Sequence, residues 1–126
     1  MINKLAFSRL ETISKDLKRK ILEISLKKKT HHIGSCLSCV DILTVLYFKI
    51  MRINKNKSKS NDKFIMSKGH AALTYYLALM KKKFFTEKFF LKEYLSNNGK
   101  LGGHPDTNAS LGIDFCSGSL GNGLSV

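Results

Sequence analysis

Apolar side chains at Leu10, Ile13, Leu17, Ile21 and Ile24 recur at spacings of three and four, which places them on one stripe of a helix. This spacing predicts an amphipathic helix over about 5–28, with Lys15, Lys18, Arg19 and Lys27 largely on the other side. The run Lys27-Lys28-Lys29 suits the negative end of its dipole. Beyond a loop at 30–35, Ser38-Cys39-Val40-Asp41 matches a capping box ahead of an apolar run and predicts a helix over about 39–51. Val40, Ile42, Leu43, Val45, Leu46, Phe48, Ile50 and Met51 leave that helix few polar positions, which predicts burial on most sides.

Residues 54–61 are polar and read as a connection. Phe64-Ile65-Met66 reads as a short buried strand, broken by Ser67-Lys68-Gly69-His70. A third helix is predicted from Ala71 to about Lys82, and a fourth from Thr86, as its cap, to about Asn97, with Gly99 just past its end. From 99 onward the chain holds seven of its nine Gly and its single Pro, which is loop chemistry. No internal repeat is visible.

Composition narrows the class. The chain has 126 residues, enough for one domain or part of one. With 43% hydrophobic and 25% charged residues it is no disordered tail, and one Pro excludes collagen and Pro-rich linkers. No uninterrupted apolar run approaches the roughly 18 residues of a membrane span, so no membrane partner is expected. The first residues lack the apolar core of a secretory signal, and three Cys make no disulfide framework. A cytoplasmic location with reduced thiols is the expectation.

The net charge of +13 is concentrated in residues 1–98, which carry 21 of the 22 basic side chains. Only Arg9, Arg19 and Arg52 are arginines. Base edges are read best by the two-pronged guanidinium, so the excess Lys is read as solvated helix faces. Specific nucleic-acid binding is not expected. A small basic nucleic-acid-binding module remains the alternative reading, and strongly salt-dependent affinity would identify it.

All four His stand at breaks beside Gly: His31-His32-Ile33-Gly34, Gly69-His70 and Gly103-His104. Loops on a rigid scaffold are where catalytic groups concentrate, and imidazole suits proton transfer near neutral pH. The competing reading is that each His is incidental to its turn. Cys36-Leu37-Ser38-Cys39 is a lone C-x-x-C, readable as a zinc or redox pair or as small-residue packing, and no metal site is expected. Gly118-Ser119-Leu120-Gly121-Asn122-Gly123 is neither a dinucleotide fingerprint nor a P-loop, but it exposes backbone for close contact.

Taken together these breaks resemble the transketolase family. His32-Ile33-Gly34, Leu37-Ser38, Asp41-Ile42-Leu43 and Leu46-Tyr47-Phe48 resemble its first signature. The run from Asp62 through Ser67-Lys68-Gly69-His70-Ala71-Ala72 resembles the second, and Gly103-His104-Pro105 the third. Gly112-Ile113-Asp114 followed by Ser117-Gly118-Ser119-Leu120-Gly121-Asn122-Gly123-Leu124-Ser125 resembles the fourth. Order and spacing fit across nearly the whole chain, and the forms are most similar to the N-terminal subunit of split transketolases.

The resemblance implies an α/β fold: the N-terminal part of a thiamine diphosphate-binding domain with helices flanking a parallel sheet, the portion present being mostly helical. It implies transfer of a two-carbon ketol unit between sugar phosphates. By the match, His70 contacts the diphosphate, and Gly118, Ser119 and Leu120 lie along the thiamine. His32 and His104 face the donor sugar as hydrogen-bond partners and proton carriers. The family's Gly-Asp-Gly stretch and following Asn, which hold Mg²⁺, have no counterpart in 1–126, nor has the domain whose Glu activates the aminopyrimidine. The expectations are a domain incomplete at its C-terminus, inactive alone, and in the complete enzyme a homo-oligomer that includes a C-terminal partner subunit. His31 stands where the family usually has Gly, and Ile33 where Pro is frequent.

Overall fold

The computed structural model describes residues 4–54 and 61–121. Helix α1 spans Lys4–Lys28 and buries the predicted stripe of Leu10, Ile13, Leu17, Ile21 and Ile24. Helix α2 spans Ile33–Val45 and runs on into a π-helical turn, Leu46–Ile50. A 3₁₀ turn, Gly69–Ala71, leads into α3, Ala72–Lys81, and α4 covers Glu87–Glu93. A last 3₁₀ turn covers Ala109–Leu111. The described residues contain no β-strand, only isolated bridges at Tyr94–Leu101 and Asn108–Ile113. The mostly helical expectation holds; a parallel sheet is not formed by these residues.

Helix α3 is the centre. Every residue from Ala72 to Leu79 is buried, including Thr74, Tyr75 and Tyr76. A helix buried on all faces must satisfy its side-chain hydroxyls inside the protein. Thr74 Oγ1 donates to the Cys36 carbonyl at 2.7 Å, Tyr75 Oη to Gly112 at 3.0 Å and Tyr76 Oη to His104 at 3.1 Å. Helices α1 and α2 pack against α3 and against each other. The irregular chain after α4 is tied down through the two tyrosines.

Several local expectations are corrected. The second helix begins at Ile33, not 39, because its buried stripe of Cys36, Val40, Leu43, Thr44 and Tyr47 already starts upstream of Ser38. Ser38 therefore sits inside the helix and donates back to the Ser35 carbonyl at 2.9 Å rather than capping. Asp41, freed from that cap role, accepts from Ser14 Oγ and from Lys18 Nζ at 2.9 Å, joining α2 to α1. Burial is confined to one face; Ile42 is 63% and Ile50 62% exposed. Over Ile33–Ile50 the mean hydropathy is 1.6, so by length and composition alone this continuous helix would suffice to cross a membrane. Here it carries Asp41 and Lys49 and sets one face into the core.

Phe64-Ile65-Met66 is not a strand, since no neighbouring strand offers a ladder among the described residues. Its pattern still operates: Met66 is buried while Ile65 is 47% exposed. Thr86 caps α4 as expected, accepting from the Phe89 amide at 3.1 Å. That helix stops at Glu93 rather than 97, because the Leu95 amide turns to the Leu101 carbonyl and brings Leu101 into the core. Gly99 accordingly stands beyond the turn after α4, not at its helical end. Most of the predicted connection, residues 55–60, lies outside the described residues.

The Asp41 contacts carry a testable consequence. Hydrogen bonds from Ser14 and Lys18 hold its carboxyl below the usual range. A depressed folded value contributes stability above the unfolded pKa and loses it as pH falls through the folded one. Asp41→Asn should therefore cost about 1 kcal/mol or less at neutral pH, given the exposure of the pair. The difference from the unmodified chain should vanish in acid below the ordinary carboxylate range, as read by urea denaturation at a series of pH values.

Candidate functional site

The three predicted site histidines come from separate stretches of chain and meet in one row. The His32 and His70 rings stand edge to face with centroids 4.7 Å apart. His70 and His104 repeat that arrangement, also at 4.7 Å. His31 adds an outer member, 6.3 Å from His32. His31, His32 and His104 are exposed and His70 is half-buried, so the row forms an open shelf.

Each imidazole is placed by a local break. His32 is the residue before α2 and adopts a left-handed backbone, φ 64°, where His is tolerated better than most side chains. Its side chain makes no capping bond, so the first amides of α2 have no side-chain cap. His70 sits in the 3₁₀ turn leading into α3, and its carbonyl faces the Cys36 thiol at 3.8 Å. His104 is held through its own carbonyl by Tyr76.

The Gly-rich segment meets the row at His104. A Cβ at Gly118 would lie 3.7 Å from the His104 ring, so this residue lies against the imidazole. A Cβ at Gly69 would lie 2.7 Å from Ser117 Oγ and 3.0 Å from the Ser117 carbonyl, so only Gly permits this approach. The Ser117 amide in turn donates to the Pro105 carbonyl at 3.1 Å. Ser119 and Leu120 follow on the exposed side of that turn, with Leu120 76% exposed. Asn122, Gly123, Leu124 and Ser125 lie outside the described residues.

Charged side chains of both signs stand in the segments that carry the row, Lys68 two residues before His70 and Asp106 two residues after His104. Lys68 Nζ reaches Ser38 Oγ at 2.9 Å beside the second signature. None of the ion pairs among the described residues involves a histidine. No group of three or more His, Cys, Asp or Glu in the described residues is arranged to hold a metal ion. Imidazoles, a lysine and the first amides of α2, which have no side-chain cap, make a donor set for an anion, and Gly118 leaves its backbone open beside the His104 ring. A buried Ser117 hydroxyl without a partner lies against Gly69, the neighbour of His70. These residues fit a bound organic diphosphate.

The cysteine pair reads differently. Cys36 and Cys39 both lie within α2; burial pushes the Cys36 thiol up, away from reactive thiolate character. Cys39 donates to the Ser35 carbonyl at 3.4 Å. A cleft of about 1020 Å³ opens between the start of α1, the π turn and the end of α3, and no histidine lines it. Reactive side-chain chemistry concentrates on the shelf instead. Sequence reasoning missed Tyr76 and Gly69 as supports of the site. Tyr75-Tyr76 in an apolar helix was the available signal, since buried phenols must find an acceptor.

Known proteins bear on this geometry. Residues 14–126 match the family described as transketolase, thiamine diphosphate binding domain. An apulose-4-phosphate transketolase subunit of Phocaeicola vulgatus is 41% identical over 120 residues, covering 93% of this chain and 42% of the relative. Its namesake in Actinobacillus succinogenes is 36% identical over 126 residues, covering 97% and 45%. The 6-deoxy-6-sulfo-D-fructose transketolase subunit SqwG of a Clostridium species is 36% identical over 98 residues, covering 75% and 35%. The chain thus spans less than half the length of these relatives.

Tyr76→Phe tests the support of the shelf. It should lower stability by about 1 kcal/mol, the usual net value of one hydrogen bond. It should also broaden or shift the His104 imidazole resonances while leaving those of His31 unchanged, as read by thermal denaturation and imidazole NMR.

Proposed function

This chain belongs to the transketolase thiamine diphosphate-binding domain family, and we propose that it forms one wall of a thiamine diphosphate site in a split transketolase. In the complete enzyme it would act with a C-terminal partner subunit, in a homo-oligomer, to move a two-carbon ketol unit between sugar phosphates. The observation that carries this reading is the meeting of His32, His70 and His104 in one row, with Gly118 against the His104 ring. The relatives' names carry different sugars, so the substrate is proposed as a class, phosphorylated or similarly anionic ketoses.

The proposed roles follow from placement. His70, half-buried at the start of α3, donates to the diphosphate, with the uncapped amides of α2 and Lys68 adding positive potential. Gly118, Ser119 and Leu120 line the thiamine, their backbone close because no bulky side chain intervenes at Gly118. His32 and His104, exposed at the two ends of the trio, hold the donor's hydroxyls and carry protons to and from them. Thiamine diphosphate, when bound, supplies the stabilised carbanion that this chemistry needs. Mg²⁺ asks for octahedral oxygen ligands, and among the described residues no group of three or more His, Cys, Asp or Glu offers a site, so its ligands would come from other parts of the complete enzyme. The helices described here would then be one layer of an α/β domain with a parallel sheet.

The test restores the remaining segments, from the natural gene or from one of these relatives, together with the partner subunit. The chain of 126 residues alone should show no turnover of a ketose phosphate with an aldose phosphate, and the assembly should turn over. In the assembly, His70→Ala should weaken cofactor binding by about tenfold or more, as expected for one charge-assisted bond. His32→Ala and His104→Ala should leave cofactor affinity nearly intact and depress turnover or donor affinity. Equal small effects at all three positions would reduce the histidines to turn formers.

A further inference from the structure

Ser117 is more than nine-tenths buried, and its hydroxyl has no hydrogen-bond partner. An orphaned buried hydroxyl costs about 1–3 kcal/mol, so its survival asks for a use. Among the described residues three other hydroxyls are in that state, Ser25, Thr30 and Thr44, and each lies within or just after α1 or α2. Ser117 differs in standing where the histidine-bearing segments cross. Its hydroxyl lies against Gly69, the neighbour of His70; its amide is bonded to Pro105, the neighbour of His104; and the next residue, Gly118, is exposed against the His104 ring.

The two neighbours are not equivalent in what they do. Gly69 gives up a side chain so that Ser117 can come close; the gap is filled by backbone and by the serine hydroxyl. An alanine at 117 would pack there equally well and would remove the orphan. Packing therefore explains Gly69 but does not explain the oxygen of Ser117.

We propose that Ser117 is a further ligand-binding residue of the shelf, its hydroxyl held back from the protein's own hydrogen bonding for bound thiamine diphosphate. The proposal rests on the cofactor reading above. It makes Gly69 a spacer and Ser117 a contact, and it predicts opposite behaviour for substitutions at the two.

The experiment uses the same assembly with its partner subunit, titrated calorimetrically with thiamine diphosphate and Mg²⁺, with melting of the ligand-free protein alongside. Ser117→Ala should lower cofactor affinity about tenfold, the value of one hydrogen bond to a charged or strongly polar group, while the ligand-free melting temperature stays level or rises. Gly69→Ala, which forces the seam apart, should lower both. If the unmodified assembly binds cofactor and Ser117→Ala binds it equally well, the inference fails and the cofactor reading stands. A fall in melting temperature for Ser117→Ala would likewise overturn it, by making the hydroxyl structural. If the unmodified assembly binds no thiamine diphosphate, the cofactor reading falls and this inference falls with it.

Discussion

Three hydroxyls on one buried helix set the terms for everything around it. Thr74, Tyr75 and Tyr76 lie side by side on α3, none of them more than 1% exposed. Their oxygens cannot reach water, and an unmade bond at each would be expensive in so apolar a setting. Each takes a backbone carbonyl from a different part of the chain: Cys36 in α2, Gly112 in the last turn and His104 in the Gly-rich segment. Two of those carbonyls belong to the neighbourhood of the histidine shelf. Satisfying the core helix and assembling the site are therefore largely one event.

The aromatic packing reinforces the same geometry. Tyr47, Phe64, Tyr75 and Phe115 form one connected group, with ring centroids between 5.2 and 6.4 Å apart. Phe90 stacks on Tyr94 at 5.0 Å, and Tyr94 meets Tyr76 edge to face at 6.1 Å. These contacts reach from the π-helical turn through Phe64 to Phe115, so irregular chain is fixed by side chains rather than by a ladder. Burial pushes the phenols of Tyr75, Tyr76 and Tyr94 up, so they stay neutral, and Tyr75 and Tyr76 keep their donated hydrogen bonds throughout the physiological range.

What the sequence disclosed followed from which forces are local. The stripe from Leu10 to Ile24 needs only helical period, and α1 appears where it was expected. The Thr86 cap is a three-residue interaction and also forms. The capping box at Ser38 failed because the buried stripe of α2 starts upstream of it, and Asp41 is left to meet Ser14 and Lys18, more than 20 residues away in the chain. The premature end of α4 is decided by Leu101, whose burial no local pattern announces. The same division runs through the site. Gly beside His marked each break, but the meeting of the rings depends on Tyr76 and on the Gly69–Ser117 seam, and both are long-range contacts.

The shelf is built from conformations that are individually unfavourable. His32 holds a left-handed backbone, α2 begins without a side-chain cap, and Ser117 keeps a buried hydroxyl unpaired. Each would relax in an isolated peptide, since such backbone and solvation penalties run to about 1–3 kcal/mol apiece. They persist because the surrounding attachments leave no alternative: Thr74 fixes the α2 backbone one turn after His32, and Tyr76 fixes the chain at His104. A core helix that must bond its hydroxyls can hold neighbouring loops in such states, and groups left unsatisfied at one open edge are then available to a ligand. This connects the most buried residues of the chain to its most exposed imidazoles, and it explains why the reactive side chains stand beside glycines rather than on the faces of the helices.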